Sequence, residues 1–389
     1  MTTEMTLSLR LLSPLALHRT RAGVQYVETL DYIPGTALRG ALAEAYLAQH
    51  GEPDRVFEAL FLSEQVRYGD LWPTIEDGPT TLIPATAQAC KRHGLQHKNS
   101  FRDSLLDALS SHPADDRCPH PRCGEPLDKA GGGYLWDIQT VARLQPRSRL
   151  RVSTAIERST GAIAREMLFT QHTLTGNLKD NSKKDLFFQG TLRLTDPTLR
   201  DELALLLNAG KLLFLGSGRS RGLGEVEIDS WQETTTDDSL SERWRRFNEV
   251  AQRAGGDPDK RYFSLTLLSR LALRDELLRP VLSQISPRHF GLSNGVEWAC
   301  YPDSSRPVRF VDRVMVAGWN AAMGLPKTDT VALARGSVLL FWCAPSQEEA
   351  VLARLKEIEA EGVGERRNEG FGQIAVCYPI HNECWEGGR

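Results

Sequence analysis

Between Cys90 and Cys123 the sequence gathers three cysteines and four histidines (Cys90, His93, His97, His112, Cys118, His120 and Cys123) into 34 residues. The whole chain holds 7 Cys and 9 His, so this window carries several times its proportional share. Thiolate and imidazole are the donors a tetrahedral Zn²⁺ takes, and such clustering in a cytosolic chain reads as metal binding rather than disulfide bonding. The intervening stretch, with CPHPRCGEPL and AGGGY, is polar and glycine-rich, and a metal can hold a loop that lacks its own core. Cys90, Cys118 and Cys123 supply three ligands. His120 is taken as the fourth, with His97 and His93 as alternatives. No H-E-x-x-H pattern supplies a general base, so the expected site is structural zinc.

Two glycine-studded stretches come next. Gly216, Gly218, Arg219, Arg221, Gly222 and Gly224 precede a β-compatible run, and Gly362, Gly364, Arg366, Arg367, Gly370 and Gly372 precede another at Ile374–Tyr378. Glycine admits positive φ and close backbone approach, so successive N–H groups can face an anion, and the arginines add charge there. A dinucleotide fingerprint follows a strand and opens a helix, whereas these loops lead into strands; a P-loop needs Gly-Lys-Ser/Thr. Two such loops in equivalent places point to an RNA or phosphate surface, and mark the chain as an internal repeat.

A third group lies near the N-terminus: His18, Arg19, Thr20 and Arg21, then Ile33-Pro34-Gly35-Thr36-Ala37-Leu38-Arg39-Gly40. Amides at that helix start are suited to a phosphate. His18 reads as a loop histidine, with a general base for RNA cleavage as the alternative. Trp72, Trp136, Trp298, Trp319 and Trp342 read as core residues, and Cys300, Cys343, Cys377 and Cys384 as structural.

The elements that must position these groups follow from pattern. Met5–Leu12 is β-compatible. Thr36 is the expected N-cap of a helix whose face is Leu38, Leu42 and Tyr46, ending near His50-Gly51. Strands are expected at Val66–Trp72, Leu150–Ile156, Met167–Leu174 and Phe187–Leu194. Asp196-Pro197 opens a second helix with Leu199, Leu203, Leu206 and Leu207 on one face. Lys211–Leu215 and Gly224–Ile228 complete a first domain over 1–230, with an insertion at about 85–135. A linker at 231–260 contains TTTDDS and a charged, helix-compatible SERWRRFNEVAQR. The second domain, 261–389, holds strands at Tyr262–Leu268 and Val331–Cys343 and a helix carrying Val351, Leu352, Leu355 and Ile358. Interleaved strands and helices in each half give an α+β architecture of two βαββαβ-like units.

Composition excludes some classes. The 389 residues are 41% hydrophobic and 25% charged, an ordinary globular balance. No apolar run approaches the roughly 20 residues that span a bilayer, and the acidic N-terminus lacks a signal peptide's basic start. The expectation is a cytoplasmic protein. The 47 positive and 50 negative residues nearly cancel, so bulk charge does not announce nucleic acid. The positive set is 37 Arg and 10 Lys; arginine's planar fork suits phosphate and bases, although a GC-rich genome gives the same bias.

Ile33–Gly40 resembles the I-P-G-S-S-L-[KR]-G helix start of the RAMP (repeat-associated mysterious protein) superfamily of CRISPR systems. Gly216–Val226 is similar to that superfamily's glycine-rich loop, and Thr154-Ala155-Ile156-Glu157-Arg158 with Met167-Leu168-Phe169 to its T-A-[IV]-x-R … x-L-F segment. With the cysteine-bearing insertion and the closing Gly362–Ile374, the chain most resembles the two-domain RAMP subunit of type III-D effector complexes. The resemblance implies tandem ferredoxin-like (RRM-like) domains and a Cas-five-like subunit that grips the five-prime repeat-derived handle of crRNA. Its implied partners are the large signalling subunit and the backbone RAMP subunits, with target RNA met indirectly and no membrane. Carried over by position, the RNA-binding residues are Arg39, Gly216, Gly218, Arg219, Arg221, Gly222 and Gly224, with Gly364, Arg366, Arg367, Gly370 and Gly372 in the second domain. The implied alternative is a metal-independent endoribonuclease acting on crRNA precursor or target RNA, for which His18 and Asp31 are the nearest residues.

Overall fold

In β1 (Thr3–Leu11), Met5, Leu7, Leu9 and Leu11 alternate with polar residues, and all four are buried, the period-2 signature of a strand with one face on a core. The computed structural model describes residues 3–18, 26–76, 78–111, 115–180, 184–234, 240–292, 295–320 and 323–386. The chain divides into two compact units. Met1–Pro79, Leu144–Thr235 and Met315–Thr330 form one; Thr80–Arg143, Thr236–Val314 and Val331–Arg389 form the other.

After β1 the first unit continues with α1 (Gly35–His50), β2 (Val66–Tyr68), β3 (Trp72–Thr74), β4 (Pro146–Ile156), β5 (Ile163–Leu178), β6 (Phe187–Leu194), α2 (Arg200–Leu206), β7 (Leu212–Phe214) and β8 (Glu225–Thr234). Its main sheet runs β7-β8-β1-β6-β2, with neighbours antiparallel and β3 also on β6. On the β1-α1-β2-β6-α2-β8 skeleton the spatial order is fourth, first, third, second. Leu38, Leu42 and Tyr46 are the buried face of α1, as their spacing requires. Thr36 does not cap that helix. The break comes earlier, at Pro34, and the Asp70 carboxylate accepts the Gly35 N–H at 2.9 Å.

The second unit contains α3 (Leu240–Arg253), β9 (Arg261–Leu267), β10 (Val296–Trp298), β11 (Val338–Cys343), α4 (Glu348–Glu361), β12 (Ile374–Val376) and α5 (Ile380–Glu386). Its sheet order, β10-β11-β9-β12, is again second, third, first, fourth. The stretch expected to be a linker is mostly not one. β8 extends to Thr234, and α3 buries Leu240, Trp244, Phe247, Val250 and Ala251 in the second core. Asn248 of α3 accepts the Tyr262 N–H and donates to the Tyr262 carbonyl, pinning the start of β9.

Residues 80–143, expected in the first domain from chain order, pack with the second unit. Ile83, Ala87, Phe101 and Leu135 bury themselves with Ile380 and Cys384. A buried polar chain reinforces this. Thr86 donates to Asp103, whose other carboxylate oxygen lies 3.1 Å from His381 Nδ1, and His381 Nε2 lies 2.8 Å from Thr266 Oγ1 on β9. His381 is 0% and Asp103 1% exposed. Removing one member of a buried polar pair strands the other, so Asp103→Ala is expected to lose about 3 kcal/mol of stability. A fall in the urea midpoint with an unchanged slope checks it.

Candidate nucleic-acid interface and metal centre

The two glycine loops correspond hydrogen bond for hydrogen bond. In the first, Gly224 N–H donates to Pro14 O, Ser217 N–H to Ala16 O, Leu215 N–H to Gly224 O and Leu223 N–H to Gly218 O. In the second, Gly372 donates to Arg270 O, Glu365 to Ala272 O, Val363 to Gly372 O and Phe371 to Arg366 O. Ser13 Oγ accepts from Glu225 N, and Ser269 Oγ from Gln373 N. Gly224 and Gly372 are required by this packing. Both have positive φ, and a Cβ would stand 2.0 Å from Leu215 O or 1.8 Å from Val363 O. Many of the amides expected to face an anion are therefore spent on closing the loop on itself and tying it to the segment that follows β1 or β9.

The segments that receive the loops carry a repeat that periodicity alone does not reveal. Ser8–Leu17 is SLRLLSPLAL and Ser264–Leu273 is SLTLLSRLAL, identical at eight of ten positions. Aligning the chain with itself exposes it; hydrophobic pattern registers only two β-compatible runs.

What differs between the loops is charge. Arg219–Arg221 is one turn of 3₁₀ helix between Gly218 and Gly222, and Arg221 is exposed. Arg219 pairs with Glu44 of α1, an exposed pair of little energetic weight. In the second loop Arg366 occupies the left-handed position that Gly218 fills in the first. It pairs with Glu369 and lies 4.4 Å over the Phe371 ring, with Arg270 at 4.8 Å from that ring. Arg274 pairs with Glu365 at 2.7 Å, and Arg367 lies 3.7 Å from Glu361. By position in the loop, Arg367 matches Arg219, and Arg221 is matched by Glu369.

His18 borders the first loop, where Arg274 borders the second. Its Nε2 lies 2.8 Å from Ser217 Oγ and 3.0 Å from Gln171 Nε2 of β5. Partial burial lowers its pKa, favouring the neutral ring. Arg39 is half-buried, and one guanidinium N–H reaches Phe61 O. The α1 N-terminus expected to hold a phosphate already has the Asp70 carboxylate. Arg19, Thr20, Arg21 and His112 lie outside the described residues.

β4 and β5 form one long hairpin, although the pattern suggested only separate strands within it. Cross-strand pairs Leu150–His172, Val152–Thr170, Thr154–Leu168 and Ile156–Ile163 line one face, where Leu150, Val152, Ile156, Ile163 and Leu168 are exposed. Nor is Trp319 a core residue: it is 60% exposed beside Pro326 in a short hairpin.

The cysteine cluster assembles as the composition suggested, with a different fourth ligand. Single donor atoms of Cys90, His97, Cys118 and Cys123 all lie within 4.8 Å of one another. Cys90 Sγ and Cys123 Sγ are 3.7 Å apart, and His97 Nδ1 is 3.4 Å from Cys118 Sγ. Tetrahedral bonds of about 2.3 Å to sulfur and 2.0–2.1 Å to nitrogen put those edges at roughly 3.8 and 3.6 Å, so the set fits such an ion. His120 is not in the set. It stacks on His97 at 3.9 Å, and His93 stacks on His97 at 4.2 Å. Spacing in the chain could not separate three histidines that share one stack. Desolvation and the neighbouring His120 and His93 lower the His97 pKa, favouring the neutral ring that binds metal. Burial opposes ionisation of Cys90, but the His93 and Arg92 amides and the other two thiols outweigh it and lower its pKa.

Two antiparallel sheets of one strand order, each clasped by the same glycine loop, define a duplicated α/β protein built mostly of strands. Residues 8–227 match the sequence profile of the RAMP superfamily, more than half of the chain, and the chain belongs to that superfamily. Among solved structures, it is similar to a chain of the type III-B Cmr-beta complex bound to cognate target RNA and AMPPnP, at 11% identity and TM-score 0.44, with 86% of each chain covered. A second similar chain is from Cmr-beta bound to cognate target RNA, at 12% identity and TM-score 0.44, covering 95% of this chain and 96% of that one. No curated protein matches the sequence. Among the described residues, no helix is long and apolar enough to cross a membrane.

Proposed function

We propose that this chain is a non-catalytic crRNA-binding subunit of a type III CRISPR effector complex, of the two-domain Cas-five-like kind resembled by type III-D. It grips the five-prime repeat-derived handle and contacts the large signalling and backbone RAMP subunits in the cytoplasm. The observation that carries the reading is the first glycine loop, which presents Arg219 and exposed Arg221 within the region that matches the RAMP profile. The matching strand order of the two sheets supports a tandem ferredoxin-like reading of the two units. The Cys90–His97–Cys118–Cys123 set supports a structural zinc site in the insertion. Hydrogen bonding of His18 to Ser217 and Gln171 argues for a positioning role over RNA cleavage.

Co-expression with the locus's repeat RNA and neighbouring subunits, followed by sequencing of RNA crosslinked to this chain, tests the reading. Uniform crRNA beginning with the repeat-derived handle is expected. RNA trimmed at a fixed site, and left intact by His18→Ala or Asp31→Asn, would make the chain a nuclease. One further result is expected: Glu44→Gln releases Arg219 from its exposed pair and tightens handle binding by about twofold to fivefold, the scale of such pairs, in a filter-binding titration.

A further inference from the structure

We infer that Glu365 and Glu369 close the second glycine loop to RNA, so that phosphate is held by the first loop alone. This rests on the crRNA-binding reading above.

Identical backbone bonding in the two loops leaves side chains as the difference. The first loop has no acid between Gly216 and Gly224, whereas the second has Glu365 and Glu369 between Gly364 and Gly372. Glu365 stands where Ser217 stands, Glu369 where Arg221 stands, and Arg366 where Gly218 stands. Each acid is used internally: Glu369 holds Arg366, and Glu365 holds Arg274. The loop charge is thus cancelled where the first loop keeps two positive charges. Exposure separates the loops further. Glu44, partner of Arg219, is 61% exposed and easily left in water. Glu369 is only 12% exposed, so a phosphate that drew Arg366 away would break an ion pair where water cannot readily replace it. An incoming phosphate would also face both acids at short range. The second loop keeps the clasp that joins its strand to the sheet and has given up the anion.

The test uses the chain in its assembled complex, loaded with a 4-thiouridine-substituted transcript of the locus's own repeat. After irradiation, crosslinked peptides are mapped. Crosslinks at Gly216–Gly224 with none at Gly364–Gly372 are the expected result. Crosslinks at both loops would overturn the inference and leave the crRNA-binding role intact. Crosslinks at neither loop would overturn the inference together with the handle-gripping reading on which it rests. A gain-of-function variant adds an independent reading. Glu365→Ser with Glu369→Arg copies the first loop's residues into the second. It is expected to steepen the log–log salt dependence of binding, by roughly 0.7 for each additional phosphate neutralised on single-stranded RNA. An unchanged slope in a folded double variant would overturn the assignment of these two acids as the closing residues.

Discussion

Stripping zinc from the purified chain with a chelator is expected to unfold the ligand-bearing segment (residues 90–99 and 115–129) while leaving the first unit's sheet protected. The strands there are short, Ala87–Cys90 and Leu127–Lys129, and in 91–99 and 115–129 the only buried side chain is that of Cys118, whereas Phe101, Leu105, Leu106 and Leu109 between them are anchored in apolar cores. Apparent binding energies for structural Zn²⁺ are about 10–16 kcal/mol in isolated finger peptides, as large as the whole stability of an ordinary domain. About one equivalent of zinc by elemental analysis, and loss of amide protection confined to this segment on chelation, are the expected readings. His97→Ala is expected to lose the metal, whereas His120→Ala removes one face of the imidazole stack and keeps it. Cys118→Ser should behave as His97→Ala does. Full protection in metal-free protein would show that the apolar anchor to Ile380 and Cys384 holds the insertion unaided.

The second large effect falls on RNA. Arg219→Ala combined with Arg221→Ala is expected to weaken handle binding about 30-fold to 150-fold, at roughly 1–1.5 kcal/mol for each charge-assisted contact removed. The salt slope should fall by roughly 1.4, two phosphates at about 0.7 each on single-stranded RNA. The thermal midpoint separates electrostatics from folding. A variant that loses affinity through a damaged loop leaves a slope set by other contacts, and its thermal midpoint falls; a variant that loses two phosphate contacts keeps its midpoint. Both side chains are exposed and lie outside the hydrogen bonds that clasp the loop, so the midpoint is expected to hold.

Local pattern specified much of this molecule. The strands at β1, β6 and β11, the apolar faces of α1 and α4, the duplicated glycine loops and the ligand-rich window are all legible in the chain, because each depends on residue type and short-range periodicity. The repeat at Ser8–Leu17 and Ser264–Leu273 is equally legible and needs only a comparison of the chain with itself. Three matters were decided only in three dimensions. His97 is the fourth ligand because the fold turns its Nδ1 toward Cys118 and leaves His120 stacked on its ring, a choice of orientation that spacing does not encode. The insertion belongs with the second unit because its apolar residues meet α5 from the far end of the chain, a burial open only once both ends are folded. Arg366 and Arg219 look alike as letters, yet Arg366 is held over Phe371 by a poorly exposed Glu369 while the partner of Arg219 lies in water. Residue identity supplied the charge, and solvent exposure, a property of the folded surface, determined which charge is available to bind.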